Sequence, residues 1–471
     1  MNNKLYITTT LPYVNAQPHI GYAWEVVRAD AWARFQRLSG HEVFFNIGTD
    51  EHGAKIYERA KELGIDTQAY CDQQVEKFKE LKNILNLSFD NFIRTTDEHH
   101  IQAAQKFWKQ ADANGYIYKK NYKTKYCIGC EMEKTDSELI DDCCPLHPDR
   151  KIQIVEEENY FFKFSAFQKE LLDLYEINPE FVVPKHRFNE IKKFVEMGLM
   201  DFSISRIKEK MPWGVPVPGD ENHVIYVWFD ALVNYISAIG WPDDLEKFNS
   251  WWPGIQVAGK DNIRQQSAMW QAMLLSNKLP PSKQIFINSF ITSNGQKMSK
   301  SLGNVISPYE MVEKFDVDGT RYLLLILNSF GDDVDINWGW MVEKYNADLA
   351  NGLGNLTSRV IKLAKNFKFK ISDFRSSPNE KISNFLKNLE INKALEYIWD
   401  IVKEDNKYIE DNKPWELSKN DENKFKEVME KLISDLHLIS QFLAPFLPET
   451  SEKIKKALET KQVEPLFQRI K

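Results

Sequence analysis

The chain has 471 residues, 43% of them apolar and 29 of them Phe, enough for two or three domains and a large core. Its formal charge is −7, and residues 341–471 carry 23 Lys and Arg against 21 Asp and Glu, so no basic patch announces a nucleic-acid surface. There is no apolar run long enough to cross a membrane and no apolar segment behind a basic start, so neither a helical span nor a signal peptide is predicted. Five Cys, four of them within 18 residues, suit metal binding in a reducing, cytoplasmic setting better than a disulfide framework.

Leu5 to Thr10 is an apolar, β-branched run that predicts a strand. Pro18-His19-Ile20-Gly21-Tyr22 follows, and then Trp24, Val27, Ala31, Phe35 and Leu38 recur at helical steps until Gly40. Glu42 to Ile47 reads as the next strand, which completes a βαβ unit. The turn of such a unit lies where nucleotides bind, with free helix N–H groups for phosphate. Gly21 lets a ligand approach the backbone and His19 can donate to a phosphate oxygen, although His-x-Gly alone fits a turn with a core histidine equally well. Far downstream, Lys297-Met298-Ser299-Lys300-Ser301 places two ammonium groups three residues apart, suited to a pyrophosphate gaining charge in a transition state.

Between these stretches, Asp50 stands at a strand end where a carboxylate can hold an amino group. Short aromatic strands begin near Tyr116 and carry Cys127-x2-Cys130 and Cys144-x2-His147, four ligands for a closed, structural Zn²⁺ site. Cys143 stays a second candidate for the third position. The pattern from Tyr226 predicts one helix with Trp228, Ala231, Leu232 and Tyr235 on one face. Gly259-Lys260-Asp261 reads as another strand end, and from Tyr345 onward helical spacing predicts a bundle.

The strings His19-Ile20-Gly21-Tyr22 and Lys297 to Ser301 resemble the signature pair of the class I aminoacyl-tRNA synthetases. Together with Leu11 to Asn15, Gly48 to Gly53, Tyr226 to Leu232, Gly259 to Asp261 and Gly295 to Asn304, they resemble the methionyl-tRNA synthetase family from Leu5 to about Trp415. The resemblance implies an α/β fold: a Rossmann-type parallel-sheet nucleotide-binding domain with a zinc-knuckle insertion, followed by an α-helical bundle. The expected boundaries are 1–113 and 206–290 for the two halves of that domain, 114–205 for the insertion, 291–345 for a signature-loop segment and 346–471 for anticodon binding.

It further implies activation of L-methionine by ATP with Mg²⁺ and transfer to tRNA(Met). His19, Tyr22, Lys297 and Lys300 would be catalytic. Gly21, Gly259, Asp261 and Ser299 would join them in holding ATP. Leu11, Tyr13, Asp50, Trp228, Ala231, Leu232, Tyr235 and Gln266 would hold methionine, and Asn355, Arg359 and Trp415 would read the anticodon. The family's first signature normally ends in histidine where this chain has Tyr22, which implies slower activation, and a histidine is usual where this chain has Gln266. The other readings are a synthetase for Leu, Ile, Val or Cys, or a non-catalytic tRNA-binding relative. With no appended β-barrel domain of the kind some members use to dimerise, a monomer is expected.

Overall fold

A computed structural model describes residues 3–298, 304–328, 330–367 and 380–471. The chain divides into two compact units, one of Met1–Gln17, Phe44–Glu80 and Phe89–Asn288, the other of Pro18–Val43, Leu81–Ser88 and Ser289–Lys471.

The first unit is built on a six-stranded sheet in the order Asn91–Arg94, Glu42–Thr49, Lys4–Thr9, Ile255–Gly259, Gln284–Asn288, Val182–Val183. Lys4–Thr9 runs parallel to Ile255–Gly259 with Ile7 opposite Ile255, and Glu42–Thr49 runs parallel to Asn91–Arg94. Tyr6 to Thr9 are all buried, as strands covered on both faces require. The chain leaves Lys4–Thr9 with later segments on either side of it, the switch point at whose carboxyl ends open α/β sheets bind ligands. Gly48 is needed within its strand, because a Cβ there would lie 2.0 Å from the Ile93 carbonyl oxygen.

The insertion is an antiparallel ribbon of Ile117–Cys127 and Gln153–Phe162, paired from Ile117↔Phe162 to Tyr126↔Gln153 and so roughly 30 Å long. The acidic run Glu156 to Glu158 is explained by the lysines opposite it: Lys123 lies 3.1 Å from Glu156 and Lys119 lies 3.5 Å from Glu158.

From Tyr226 the structure departs from the expected single helix. Val227–Ala231 and Asn234–Ser237 are separate short helices joined by tighter turns, Val233 N–H donating to Asp230 O and Ile236 N–H to Val233 O. Asn234 supplies the reason, because its side-chain amide takes the Ala231 carbonyl at 2.6 Å. Nearly every residue of the segment is buried, so it has no solvent face.

In the second unit, helix Ile20–Leu38 packs with Pro308–Leu325 and with the helices that follow. Asp30 and Arg321, both fully buried, form an ion pair at 2.8 Å. Arg321 also donates to the carbonyls of Phe446 and Leu85, and Asp30 accepts from the Ser88 backbone and hydroxyl. Arg28 and Trp32 donate to Leu389 O and Leu386 O, fastening the same helix to the chain's helical end. A wide π turn, Tyr345–Gly354, continues directly into helix Asn355–Asn366.

Candidate functional site

Beyond the strand ends of the first unit, the chain keeps pairing. Tyr13 and Asp50 form a parallel bridge, with Asp50 N–H on Pro12 O and Val14 N–H on Asp50 O. Tyr13 and Asp50 are thereby fixed side by side, with Leu11 two residues earlier on the same segment. The Tyr13 ring meets Trp228 edge to face at 6.4 Å, and Lys55 Nζ stands 4.9 Å from the Tyr13 ring centre. Ala231, Leu232 and Tyr235 are buried. Gln266 comes from a π turn, Gln265–Met269, a form frequent at functional sites, and donates its amide to Tyr235 Oη at 2.6 Å. Tyr13 Oη, Trp228 Nε1 and Gln266 Oε1 are buried and have no hydrogen-bond partner among the described residues, which leaves polar atoms available to a ligand.

Asp50 is 3% exposed and its carboxylate accepts from the His52 backbone N–H at 3.3 Å. Burial, reinforced by the neighbouring carboxylates of Asp230 and Glu131, pushes its carboxyl well above the ordinary range. Asp230 is the opposite case. Burial opposes its charge, yet His52 Nδ1 at 2.6 Å and His100 Nε2 at 2.9 Å hold it down at about 2. Glu51 lies on the far side of the loop, bound by Arg94, Thr49 and Thr96, and braces it.

Sequence reasoning passed over His100, Asp230 and Glu131. Asp230 stood inside a quoted string without a role, and neither spacing nor composition reveals that a lone carboxylate will meet two buried histidines. Glu131, 2% exposed, accepts from Lys55 N–H, and its backbone carbonyl accepts from the Tyr226 hydroxyl.

Of the remaining expected residues of the first unit, Gly259 closes its strand and Asp261 is exposed in the following turn, Lys260–Asn262. In the second unit, His19 caps helix Ile20–Leu38, its Nδ1 accepting from Gly21 N–H at 3.0 Å. A side chain at position 21 would meet the His19 ring at 2.9 Å, so the glycine keeps the cap closed. His19 is exposed, whereas Tyr22 is buried at 6%. Lys297 lies in strand Gln296–Lys297, reached through Gly295 at φ +71°, with Gly295 N–H held by Asp335. Ser299 and Lys300 fall outside the described residues.

Cys127, Cys130, Cys144 and His147 converge, their ligand atoms all within 4.8 Å of one another. Cys130 Sγ is 3.4 Å from Cys144 Sγ and 3.3 Å from His147 Nδ1, separations that a tetrahedral ion with bonds of about 2.0–2.3 Å spans with little movement. Gly129 admits the imidazole, since a Cβ there would lie 2.2 Å from His147. Cys143 is outside the cluster, its backbone paired with Ile140. The donor set fits a structural metal with no open position.

Helices Asn355–Asn366 and Ile391–Asn412 of the second unit border a cavity of about 410 Å³. Asn355 donates to Asn406 at 3.4 Å and Arg359 to Glu410 at 2.7 Å across it. The Arg359 guanidinium lies 5.8 Å from the ring centre of Trp415, which is 39% exposed. The structure thus brings Asn355, Arg359 and Trp415 together.

Residues 5–153 and 135–361 match the family model described as tRNA synthetases class I (M), and residues 366–468 match the anticodon binding domain of methionyl tRNA ligase. The methionine–tRNA ligase of Clostridium acetobutylicum is 41% identical over 97% of this chain and 73% of its own length. That of Brucella suis is 40% identical over 96% and 91%. The structure of Mycobacterium tuberculosis methionyl-tRNA synthetase in complex with methionyl-adenylate superposes with a TM-score of 0.90 at 35% identity, covering 96% of this chain and 93% of that one. With family models matched along nearly its whole length and relatives of this similarity, the chain belongs to the methionyl class of class I tRNA synthetases.

Proposed function

We propose that the protein joins L-methionine to tRNA(Met) in two steps. The methionine carboxylate attacks the α-phosphate of ATP to give methionyl-adenylate and pyrophosphate, and the methionyl group then passes to the terminal adenosine of the tRNA. The observation that carries this reading is a buried acid, Asp50, bridged to Tyr13, whose ring packs edge to face on Trp228. Asp50 takes the ammonium group and the rings close on the thioether, with Gln266 orienting Tyr235. Such a pocket separates side chains differing by one methylene by only about 1–3 kcal/mol, so closure of the walls carries part of the selection.

The substrate carboxylate is itself the nucleophile, so the protein's part is to position and to stabilise charge. His19, Lys297 and Lys300 supply cationic or donor groups to the phosphates, with Mg²⁺ sharing their charge. Gly21, Tyr22, Gly259, Asp261 and Ser299 shape the nucleotide's surroundings. Zn²⁺ is the ion we assign to Cys127, Cys130, Cys144 and His147, where it shapes the insertion. Asn355, Arg359 and Trp415 read the anticodon. We assign 1–113 and 206–290 to catalysis, 114–205 to the insertion, 291–345 to the signature loop and 346–471 to RNA, in a monomer working in the reducing cytoplasm that its thiolates suit.

The test is amino-acid-dependent exchange of labelled pyrophosphate into ATP, without tRNA, across methionine, leucine, isoleucine, valine and cysteine. Exchange with methionine alone is expected; exchange with another of the five would reassign the substrate.

A further inference from the structure

Glu131 is a second buried acid near the Asp50 loop, and the chemistry of activation gives it no part. It stands between Cys130, a member of the cysteine and histidine cluster, and Met132, which pairs with Cys127, so the knuckle fixes where its side chain starts. Its backbone is left-handed, φ +51°, a region that penalises most side chains and that Asn tolerates better than Glu. The length of the glutamate is put to use instead. Helix Ala54–Leu63 starts behind Gly53 at φ +108°, with no side-chain cap of its own and no acid in its first turn, so its first N–H groups need an acceptor from elsewhere. Glu131 Oε1 accepts from the Lys55 backbone N–H at 3.4 Å, across 76 positions of sequence. Gly53 makes the room, because a Cβ there would lie 2.8 Å from Oε2.

Asp50 lies three residues before Gly53, and Lys55 sets its ammonium group 4.9 Å from the Tyr13 ring centre. The Glu131 carbonyl takes the Tyr226 hydroxyl, two positions before Trp228. One side chain and one carbonyl thus hold both segments whose rings, Tyr13 and Trp228, meet at 6.4 Å. We propose that Glu131 is a positioning residue for the amino-acid substrate, holding the Asp50 loop and the Trp228 segment in the arrangement that binds methionine and taking no part in holding ATP. This assignment rests on the function given above. A loop held by less free energy spends less time in its binding arrangement, and apparent affinity falls by that fraction.

The experiment measures the KM of the amino acid and of ATP in pyrophosphate exchange, and the bound metal per chain by elemental analysis, for the full chain, Glu131→Asn and Glu131→Gln. Asn suits the left-handed backbone but is one methylene too short to reach the helix start, whereas Gln keeps both the reach and an acceptor oxygen. Glu131→Asn should raise the methionine KM by roughly 2- to 30-fold, the range expected for loss of a helix cap, with the ATP KM and the metal content unchanged. Glu131→Gln should restore most of the parent's methionine KM. An unchanged methionine KM in Glu131→Asn, equal rises in both constants, a Gln variant as impaired as the Asn one, or a rise that comes with loss of metal would each overturn the proposal. If the parent exchanges with another of the five amino acids, the function is reassigned, and the same comparison run with that amino acid still decides the role of Glu131.

Discussion

The Gln266 amide donates to the Tyr235 hydroxyl at 2.6 Å, and both side chains are all but fully buried. Tyr235→Phe removes that acceptor and strands a buried amide whose carbonyl oxygen already has no hydrogen-bond partner among the described residues. An unsatisfied buried group costs about 1–3 kcal/mol, so the methionine KM should rise by roughly 5- to 150-fold with the ATP KM little changed. Equal rises in both constants would place the bond outside the amino-acid pocket. Because an amide does not titrate, Gln266→His should also give the methionine KM an inflection, absent from the parent, near pH of about 6.5.

Asp50 yields a prediction with opposite signs for stability and binding. Its carboxyl is held well above the ordinary range, so the folded protein keeps a proton that the unfolded chain releases near pH of about 3.9. The associated stability is fully present below that pH and is lost as pH rises toward the folded value. Asp50→Asn, neutral throughout, should therefore melt at a higher temperature than the parent at pH 7. It should also bind methionine roughly 10- to 150-fold more weakly, since hydrogen bonds to charged groups contribute about 1.5–3 kcal/mol. In the parent, the methionine KM should fall as pH rises through the Asp50 transition. A variant that melts lower would mean that Asp50 is already ionised and partnered in the free pocket.

The parallel sheet, the knuckle and the helical end were legible because each rests on a local signal: β-branched runs bounded by turns, paired ligands two residues apart, helical spacing. The arrangement within the first unit was legible only in part. Trp228 and Tyr235 could be named from one predicted helix, but Asn234 takes the Ala231 carbonyl and breaks it, and no periodicity foretells a side chain's choice of acceptor. Asp230 with His52 and His100 is a long-range meeting of residues 130 and more positions apart, as is Asp30 with Arg321. Arg359 was named from the resemblance alone, while its partner Glu410, on another helix, left no mark in the sequence.

Cys143 and Cys144 are adjacent, yet only Cys144 reaches the cluster. Cys144→Ser should therefore lose the bound metal, measured as zinc per chain by elemental analysis, while Cys143→Ser keeps it. Chelation of the unsubstituted protein should lower its melting temperature, and added Zn²⁺ should restore it, because metal affinity at a site formed only on folding is folding free energy. Full metal content in Cys144→Ser would shift the third ligand to Cys143.

Asp30 and Arg321 pair at 2.8 Å with neither side chain exposed, and Arg321 also holds carbonyls from two other segments. Arg321→Met leaves the Asp30 charge buried with Arg34 and Ser88 as its remaining partners. Breaking a buried pair from one side costs about 3–5 kcal/mol. At about 2–4 °C per kcal/mol for a domain of this size, the melting temperature should drop by roughly 6–20 °C. Burial works against the Asp30 charge, but Arg321 and Arg34 hold its carboxyl below the ordinary range. The stability it contributes is present above pH of about 3.9 and is lost as pH falls through the folded value, so the parent should lose more than the variant on acidification. Replacing both partners, Asp30→Leu with Arg321→Met, removes the stranded charge and should recover part of the loss, short of the share that belongs to the Phe446 and Leu85 carbonyls. If the double variant is instead as unstable as the sum of its singles, the cost lies in the lost carbonyl bonds and packing, and the ion pair contributes nothing of its own.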